Sequence, residues 1–268
     1  MTSLAGLVDR FTASLRSSGP YRAPDEVERA TADALAAAIA DGSGPADVER
    51  LAAALGFTTT SVAGRVALVA DPQSPRAWGL VVLPRVPPGV LVEVPHPAAD
   101  LRTEQIGVAV AEGLDDALYL QAGAHRAAGA PADARRRSDC PADVAHRPDS
   151  VFARLAAGLV VRLGLPQVQL HGFADRPDLD AVVSPGAATG SVVLEETVAR
   201  LTASGERVRR GGEPGCEDLS GTRNVQGRLA ARHGTVFVHL ELSRSMRRSA
   251  RRRELVAEAV TAAVRSAT

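Results

Sequence analysis

Four polar residues of this chain each follow an apolar, strand-like run: His96 after Leu91-Val92-Glu93-Val94-Pro95, His125 after Leu118-Tyr119-Leu120-Gln121-Ala122-Gly123-Ala124, His171 after Val168-Gln169-Leu170, and Glu241 after Phe237-Val238-His239-Leu240. Sheets built from strands alternating with helices bind ligands beyond the carboxyl ends of their strands, so these residues are expected to converge on one site. Neutral imidazoles and a carboxylate are the usual ligands of a catalytic zinc ion, with one coordination position left for water. His96 and His171 are the preferred ligands. For the carboxylate, Asp100 and Glu104 both follow His96 closely enough to return to the same ion. A water acidified by zinc is a nucleophile near neutral pH. Glu241 suits the second carboxylate, which takes the proton and returns it to the leaving group. His125 is expected to orient the substrate or to stabilise a developing oxyanion.

Other polar words surround this set. In Asp143-Val-Ala-His146-Arg-Pro-Asp149, Asp143 has the spacing to orient the His146 imidazole, and Asp149 the position to cap the helix that follows. Gly221-Thr-Arg223-Asn224-Val-Gln-Gly227 joins turn glycines to side chains that hydrogen-bond, and Arg244 follows Glu241 by three residues. Guanidinium groups grip carboxylates through paired N–H bonds, so Arg223 or Arg244 is a candidate clamp for a substrate carboxylate, with Asn224 beside it. The basic run Arg247-Arg248-Ser-Ala-Arg251-Arg252-Arg253 reads as a solvated helical face. It has no interleaved aromatics, and only 3% of the chain is aromatic, which argues against stacking on single-stranded nucleic acid.

The elements that must carry these residues are set by apolar periodicity. Residues 1–60 hold helical patterns over Leu4–Leu15, Glu26–Ala40 and Ala46–Leu55, separated by Ser-Gly-Pro and Gly-Ser-Gly-Pro turns. From residue 61 short β-rich runs alternate with amphipathic helices. Strands are expected at 66–70, 79–83, 90–95, 117–123, 167–170, 180–183 and 235–240, and helices at 104–114, 150–163, 194–204 and 245–265. This order predicts a three-layer α/β/α domain over 61–268, with a mainly parallel mixed sheet, preceded by an N-terminal helical region over 1–60. Residues 127–148, rich in Ala, Pro, Asp and Arg, form a long loop of the kind often given to function.

Composition narrows the partners. Lys+Arg and Asp+Glu both number 31, so no global field favours nucleic acid, anionic membrane or acidic substrates. Every basic residue of the pair is Arg, and Asn224 is the only asparagine, a skew that discounts any single Arg as a functional signal. The two cysteines, Cys140 and Cys216, form no CxxC spacing; a reducing cytoplasm fits them best. Asp9 and Arg10 interrupt the apolar residues of the N-terminus, unlike a signal peptide, and no uncharged stretch reaches membrane-spanning length. The expected partner is a small-molecule or peptide-like substrate, with no nucleic acid and no membrane; a homo-oligomer stays open.

The words Glu93-Val-Pro-His96-Pro, Val168-Gln-Leu-His171-Gly and His239-Leu-Glu241-Leu-Ser-Arg244-Ser resemble the N-formylglutamate amidohydrolases and, more distantly, the zinc carboxypeptidases and aspartoacylase-like deacylases. The resemblance covers about 90–248 in the same order. It implies a phosphorylase/hydrolase-like α/β/α fold, one zinc ion on His96 and His171, Glu104 as the acidic ligand and Glu241 as general base. The activity implied is amide cleavage in a small N-acyl amino acid or peptide-like substrate. The sequence departs from the pattern at Ala99, where the carboxypeptidases carry Glu, and at Pro97, where the formylglutamate enzymes favour Ser. The rival readings are a non-catalytic metabolite- or metal-binding module and, from the basic last helix, an adaptor for nucleic acid or protein.

Overall fold

Alternation along the strands decides how the sheet is built, and it is visible in burial. In the computed structural model, which describes residues 3–130 and 139–267, Val90, Val92 and Val94 join one apolar core while Leu91 joins another. Successive side chains point to opposite faces of a strand, so one sheet separates two cores.

The strands are β1 (Phe57–Val62), β2 (Arg65–Ala70), β3 (Leu80–Val82), β4 (Val90–Val94), β5 (Ala117–Gln121), β6 (Gln167–Phe173), β7 (Ala181–Ser184), β8 (Val208–Arg210) and β9 (Phe237–Ser243). Their order across the sheet is β1-β2-β3-β5-β4-β6-β9-β7-β8. The centre, β5-β4-β6-β9, is parallel, and antiparallel pairs β1-β2, β2-β3, β3-β5 and β7-β9 flank it. The sheet is therefore mixed with a parallel centre, the arrangement expected of a βα-alternating chain.

Helices cover both faces. On one side lie α1 (Leu4–Ala13), α4 (Thr103–Gly113), α6 (Val192–Ala203), α8 (Arg244–Arg248) and α9 (Ala250–Ala267). On the other lie α2 (Glu26–Ala40), α3 (Pro45–Ala54) and α5 (Val151–Leu163), with α7 (Val225–His233) packed beside α5 through Leu229. The helices of the first sixty residues thus pack on opposite faces of the sheet, α1 against α4 and α2 against α5. No helix among the described residues is long and apolar enough to cross a membrane.

Local chemistry fixes several starts. Asp25 and Glu28 form a reciprocal capping box at α2. Ser150, rather than Asp149, caps α5 by accepting from the Ala153 amide, while Asp149 pairs with Arg147. Three elements depart from the sequence expectation. β1 is polar along Thr58–Ser61 and β8 is three residues long, so neither shows an apolar run. α7, with sequence VQGRLAARH, has too few apolar residues to mark a face.

Candidate metal centre

The site lies on the sheet face that carries Leu91. Along β6 and β9 the residues on that face are polar: Gln167, Gln169 and His171 on one strand, His239 and Glu241 on the other. Cross-strand register sets Glu93 beside Gln169, Gln169 beside His239, and His171 beside Glu241. Both His171 and Glu241 stand inside their strands, because β6 continues to Phe173 and β9 to Ser243. His96 begins a tight turn after β4 in which its carbonyl accepts from the amides of Ala99 and Asp100. That turn brings the Asp100 carboxylate back over the sheet.

Three donor atoms then meet. Asp100 Oδ2 lies 3.5 Å from His96 Nδ1 and 3.4 Å from His171 Nδ1, and all three residues are buried. A tetrahedral zinc with ligands near 2.0–2.1 Å separates neighbouring ligand atoms by about 3.3 Å, close to these spacings. His96 Nδ1 is buried and has no hydrogen-bond partner. The remaining imidazole nitrogens are occupied. His96 Nε2–H donates to Asp143 Oδ1 at 2.8 Å, and His171 Nε2–H donates to Gln169 Oε1 at 2.9 Å. Each bond fixes the tautomer that leaves Nδ1 as a lone-pair donor, the support that metal-bound histidines require. Asp143 is held in turn by Arg126 Nη2 at 2.8 Å and lies 3.2 Å from His146 Nδ1. Gln169 Nε2 donates to Glu93 Oε2 at 2.9 Å, and Asn224 Nδ2 donates to Gln169 Oε1 at 2.6 Å. The donor set, its spacing and its orientation fit a divalent metal.

The electrostatics agree. Burial holds His171 down to about 4, so it is neutral at physiological pH. Burial also opposes charge on His96 and Asp100, but their mutual contacts prevail. Asp100 stays ionised below the usual carboxylate range, and His96, bonded to Asp143 through Nε2 with Nδ1 3.5 Å from Asp100, is raised. Two carboxylates around two imidazoles form a pocket that attracts a cation. Burial pushes Glu241 well above the normal carboxylate range, with Asp100 adding to the effect.

A second donor group, His171, His239 and Glu241, shares His171 with the first. Its His239 Nε2 to Glu241 Oε1 separation is 3.9 Å, wider than the first group's contacts, and Glu241 is its least buried member. The His171 and His239 rings lie 4.7 Å apart. The close approach of Gly221 makes room for His239: a Cβ there would lie 2.8 Å from the ring, and its φ of +62° already favours glycine.

These residues line a cavity of about 520 Å³ together with Arg126, His146, Arg223 and Asn224. His146 and Arg223 stand at its rim, while Asn224 is buried at the start of α7. Three expected residues lie elsewhere. Glu104, in the first turn of α4, is turned toward α1, where it feels Asp9 and Tyr119, and is pushed up to about 7 by burial; the carboxylate that meets the two imidazoles is that of Asp100. His125 Nδ1 accepts from the Ala127 amide, and its neighbour Arg126 lines the cavity instead. Arg244, exposed at the start of α8, borders a different cavity. Gln169, Glu93, His239 and Arg126 join the site without marking the end of an apolar run. Polar residues alternating with apolar ones in Gln-Val-Gln-Leu-His and Val-His-Leu-Glu are the signal that marks the first and third. Of the long loop, residues 131–138 lie outside the described residues; its later part supplies Asp143 and His146.

No protein-family model and no curated protein matches the chain. Among solved structures, it is similar to N-formylglutamate amidohydrolase from Ralstonia eutropha JMP134 at 13% identity and a TM-score of 0.52, covering 71% of this chain and 98% of that one. A metallo-carboxypeptidase from Burkholderia cenocepacia is matched at 10% identity and a TM-score of 0.44, over 83% and 68% of the two chains. An aspartoacylase family protein from Mesorhizobium loti is matched at 12% and 0.40, over 78% and 67%. At such identities the likeness is one of fold. The chain has the α/β/α fold of the N-formylglutamate amidohydrolase structure, over nearly all of that protein's length.

Proposed function

We propose that this chain is a metal-dependent hydrolase that cleaves an amide bond in a small N-acyl amino acid or peptide-like substrate. The observation that carries the reading is the convergence of His96 Nδ1, Asp100 Oδ2 and His171 Nδ1, each imidazole held from behind by Asp143 or Gln169. His96, Asp100 and His171 would hold one zinc ion, leaving an open coordination position. Bound there, zinc supplies Lewis acidity, lowering the pKa of a water and polarising a carbonyl oxygen.

The chain's own residues do the rest. Glu241, on the strand beside His171, has a buried Oε2 without a hydrogen-bond partner. It accepts the proton of the attacking water and passes it to the leaving nitrogen. Arg126 is anchored to Asp143 through Nη2 and keeps its remaining N–H groups for negative charge on the carbonyl oxygen. Arg223 at the rim would pair with a substrate carboxylate, and Asn224 and His146 would fix the polar groups next to it. Cys140 and Cys216 are buried and unpaired, which accords with a reducing compartment such as the cytoplasm.

The test is Glu241→Gln, which keeps shape and hydrogen bonding but removes the base. Against a panel of N-acyl amino acids and short peptides, hydrolysis is expected to fall by about 10²–10⁴-fold with metal content unchanged. Full activity in that variant would refute the assignment of Glu241.

A further inference from the structure

The basic run at the start of the last helices is not absorbed by the proposed reaction. Arg244, Arg247 and Arg248 of α8 converge with Arg102, at the start of α4, on a cavity of about 310 Å³ whose other lining residues are Ala99 and Leu101. This cavity shares no lining residue with the metal centre. No acidic residue lines it.

Several arginines elsewhere are matched to carboxylates: Arg22 and Arg76 to Glu28, Arg154 to Asp33, Arg176 to Asp218, Arg207 to Asp180, Arg210 to Glu195, Arg252 to Glu206. Among the described residues Arg102, Arg244 and Arg248 have no ion-pair partner and no side-chain hydrogen bond. Asp175 feels Arg244 and Arg247 but accepts the Ser245 amide, and Glu104 feels Arg102 but turns toward α1; neither lines the cavity. Arg247 also feels Asp100 and Glu241, but no carboxylate of the described residues bonds to any of the four guanidinium groups; like charges so gathered repel one another, a cost that an anion lessens.

The centre of the cluster is preorganised. Arg247 is buried, and its guanidinium donates through Nε to Leu242 O, through Nη1 to Leu101 O and through Nη2 to Phe173 O. Five N–H groups less three leaves one on each Nη. A Cβ at Gly172 would lie 2.3 Å from Arg247 Nε, so glycine is required to seat the group. Arg102 is held in the left-handed region at φ 72°, a conformation uncommon for a residue with a Cβ. The fixed fork of Arg247, with three further guanidinium groups around one small concavity, matches the tetrahedral oxygens of a phosphoryl group.

We propose that this cavity binds a small soluble phosphoryl anion, such as inorganic phosphate, pyrophosphate or a phosphomonoester. The site borders the segment that bears Asp100, since Ala99 and Leu101 flank it in sequence. It stands independently of the hydrolase reading.

Isothermal titration of the full chain with inorganic phosphate and with pyrophosphate, at constant ionic strength in chloride, tests this. Saturable binding at one site is expected, weakened by about tenfold or more in the exposed pair Arg244→Ser/Arg248→Ser, as charge-assisted bonds are lost. Arg102→Gly removes a third charge at a backbone angle glycine accepts, and is expected to weaken binding likewise. Metal content should be unchanged in every variant. Absence of saturable binding, equal affinity in the variants, or binding only to vesicles of anionic phospholipid would each overturn the proposal.

Discussion

Asp143 Oδ1 accepts the Nε2–H of His96 at 2.8 Å, while the opposite nitrogen of the same ring faces Asp100. A carboxylate 47 residues downstream therefore decides which nitrogen of His96 is free to bind an ion. Removing such outer partners costs metal sites about 10–100-fold in affinity. Asp143→Ala is expected to lose zinc affinity on that scale, read by competition with a chromophoric chelator, and Asp143→Asn to lose less because its amide oxygen still accepts. Affinity unaltered in Asp143→Ala would show that Asp143 does not orient the ligand.

Gln169 is the counterpart for His171. Its amide bridges Glu93, Asn224 and His171 across the sheet. Gln169→Leu keeps the volume and removes every one of these bonds, leaving the Nε2–H of His171 without its acceptor. The expected outcome is a fall in both zinc affinity and thermal stability, with Gln169→Glu restoring the acceptor and part of the affinity.

Arg126 should act on the rate. Arg126→Ala is predicted to lower kcat by about 10²–10³-fold, the scale for losing one group that stabilises an oxyanion. Arg223→Ala at the rim should raise KM for substrates with a free carboxylate and leave their amidated analogues little affected. Reversed behaviour of the two variants would exchange their roles.

Gly221 and His239 test the packing beneath the cavity. Gly221→Ala places a Cβ 2.8–2.9 Å from three ring atoms of His239 and forces a positive φ on alanine. Overpacking of this kind costs about 1–3 kcal/mol, to be read from denaturant unfolding.

Acid stability should depend on Glu28. Its carboxylate accepts from both terminal nitrogens of Arg22 at 2.6 Å and from Arg76 Nε at 2.9 Å, tying α2 to the loop before β3. The Arg22 bonds hold its pKa down to about 2 from an ordinary 4.5. A carboxylate depressed in the folded state stabilises it above pH 4.5 and loses that contribution as pH falls toward 2. Glu28→Gln should be less stable at pH 7 and show a flatter pH dependence across that interval.

The sequence marks the site unevenly, for physical reasons. His96, His171 and Glu241 follow apolar runs, and the strands beneath them are legible because the centre of the sheet is buried on both faces. Asp100 and Glu104 are one helical turn apart, and only the turn geometry at His96 separates them: Asp100 folds back over the sheet while Glu104 enters α4 and faces α1. His239 and Gln169 are hidden inside their strands, where a search for residues past the strand ends overlooks them. Arg126 lies far from Asp143 in sequence, and nothing local announces that pairing. β1 and β8 lie at the two edges of the sheet, where the polar Thr58–Ser61 stretch and a three-residue strand leave no apolar run, and α7 is short, with Val225 and Leu229 as its only large apolar residues.

That His96, Asp100 and His171 hold one metal ion is tested most directly by elemental analysis of the chain purified without chelators or metal-affinity columns, together with His96→Ala, Asp100→Ala and His171→Ala. The prediction is about one zinc per chain in the parent protein, lost in each variant while circular dichroism shows the fold retained. A folded parent that takes up no divalent metal even when zinc is supplied, or variants that keep the full complement, would contradict it.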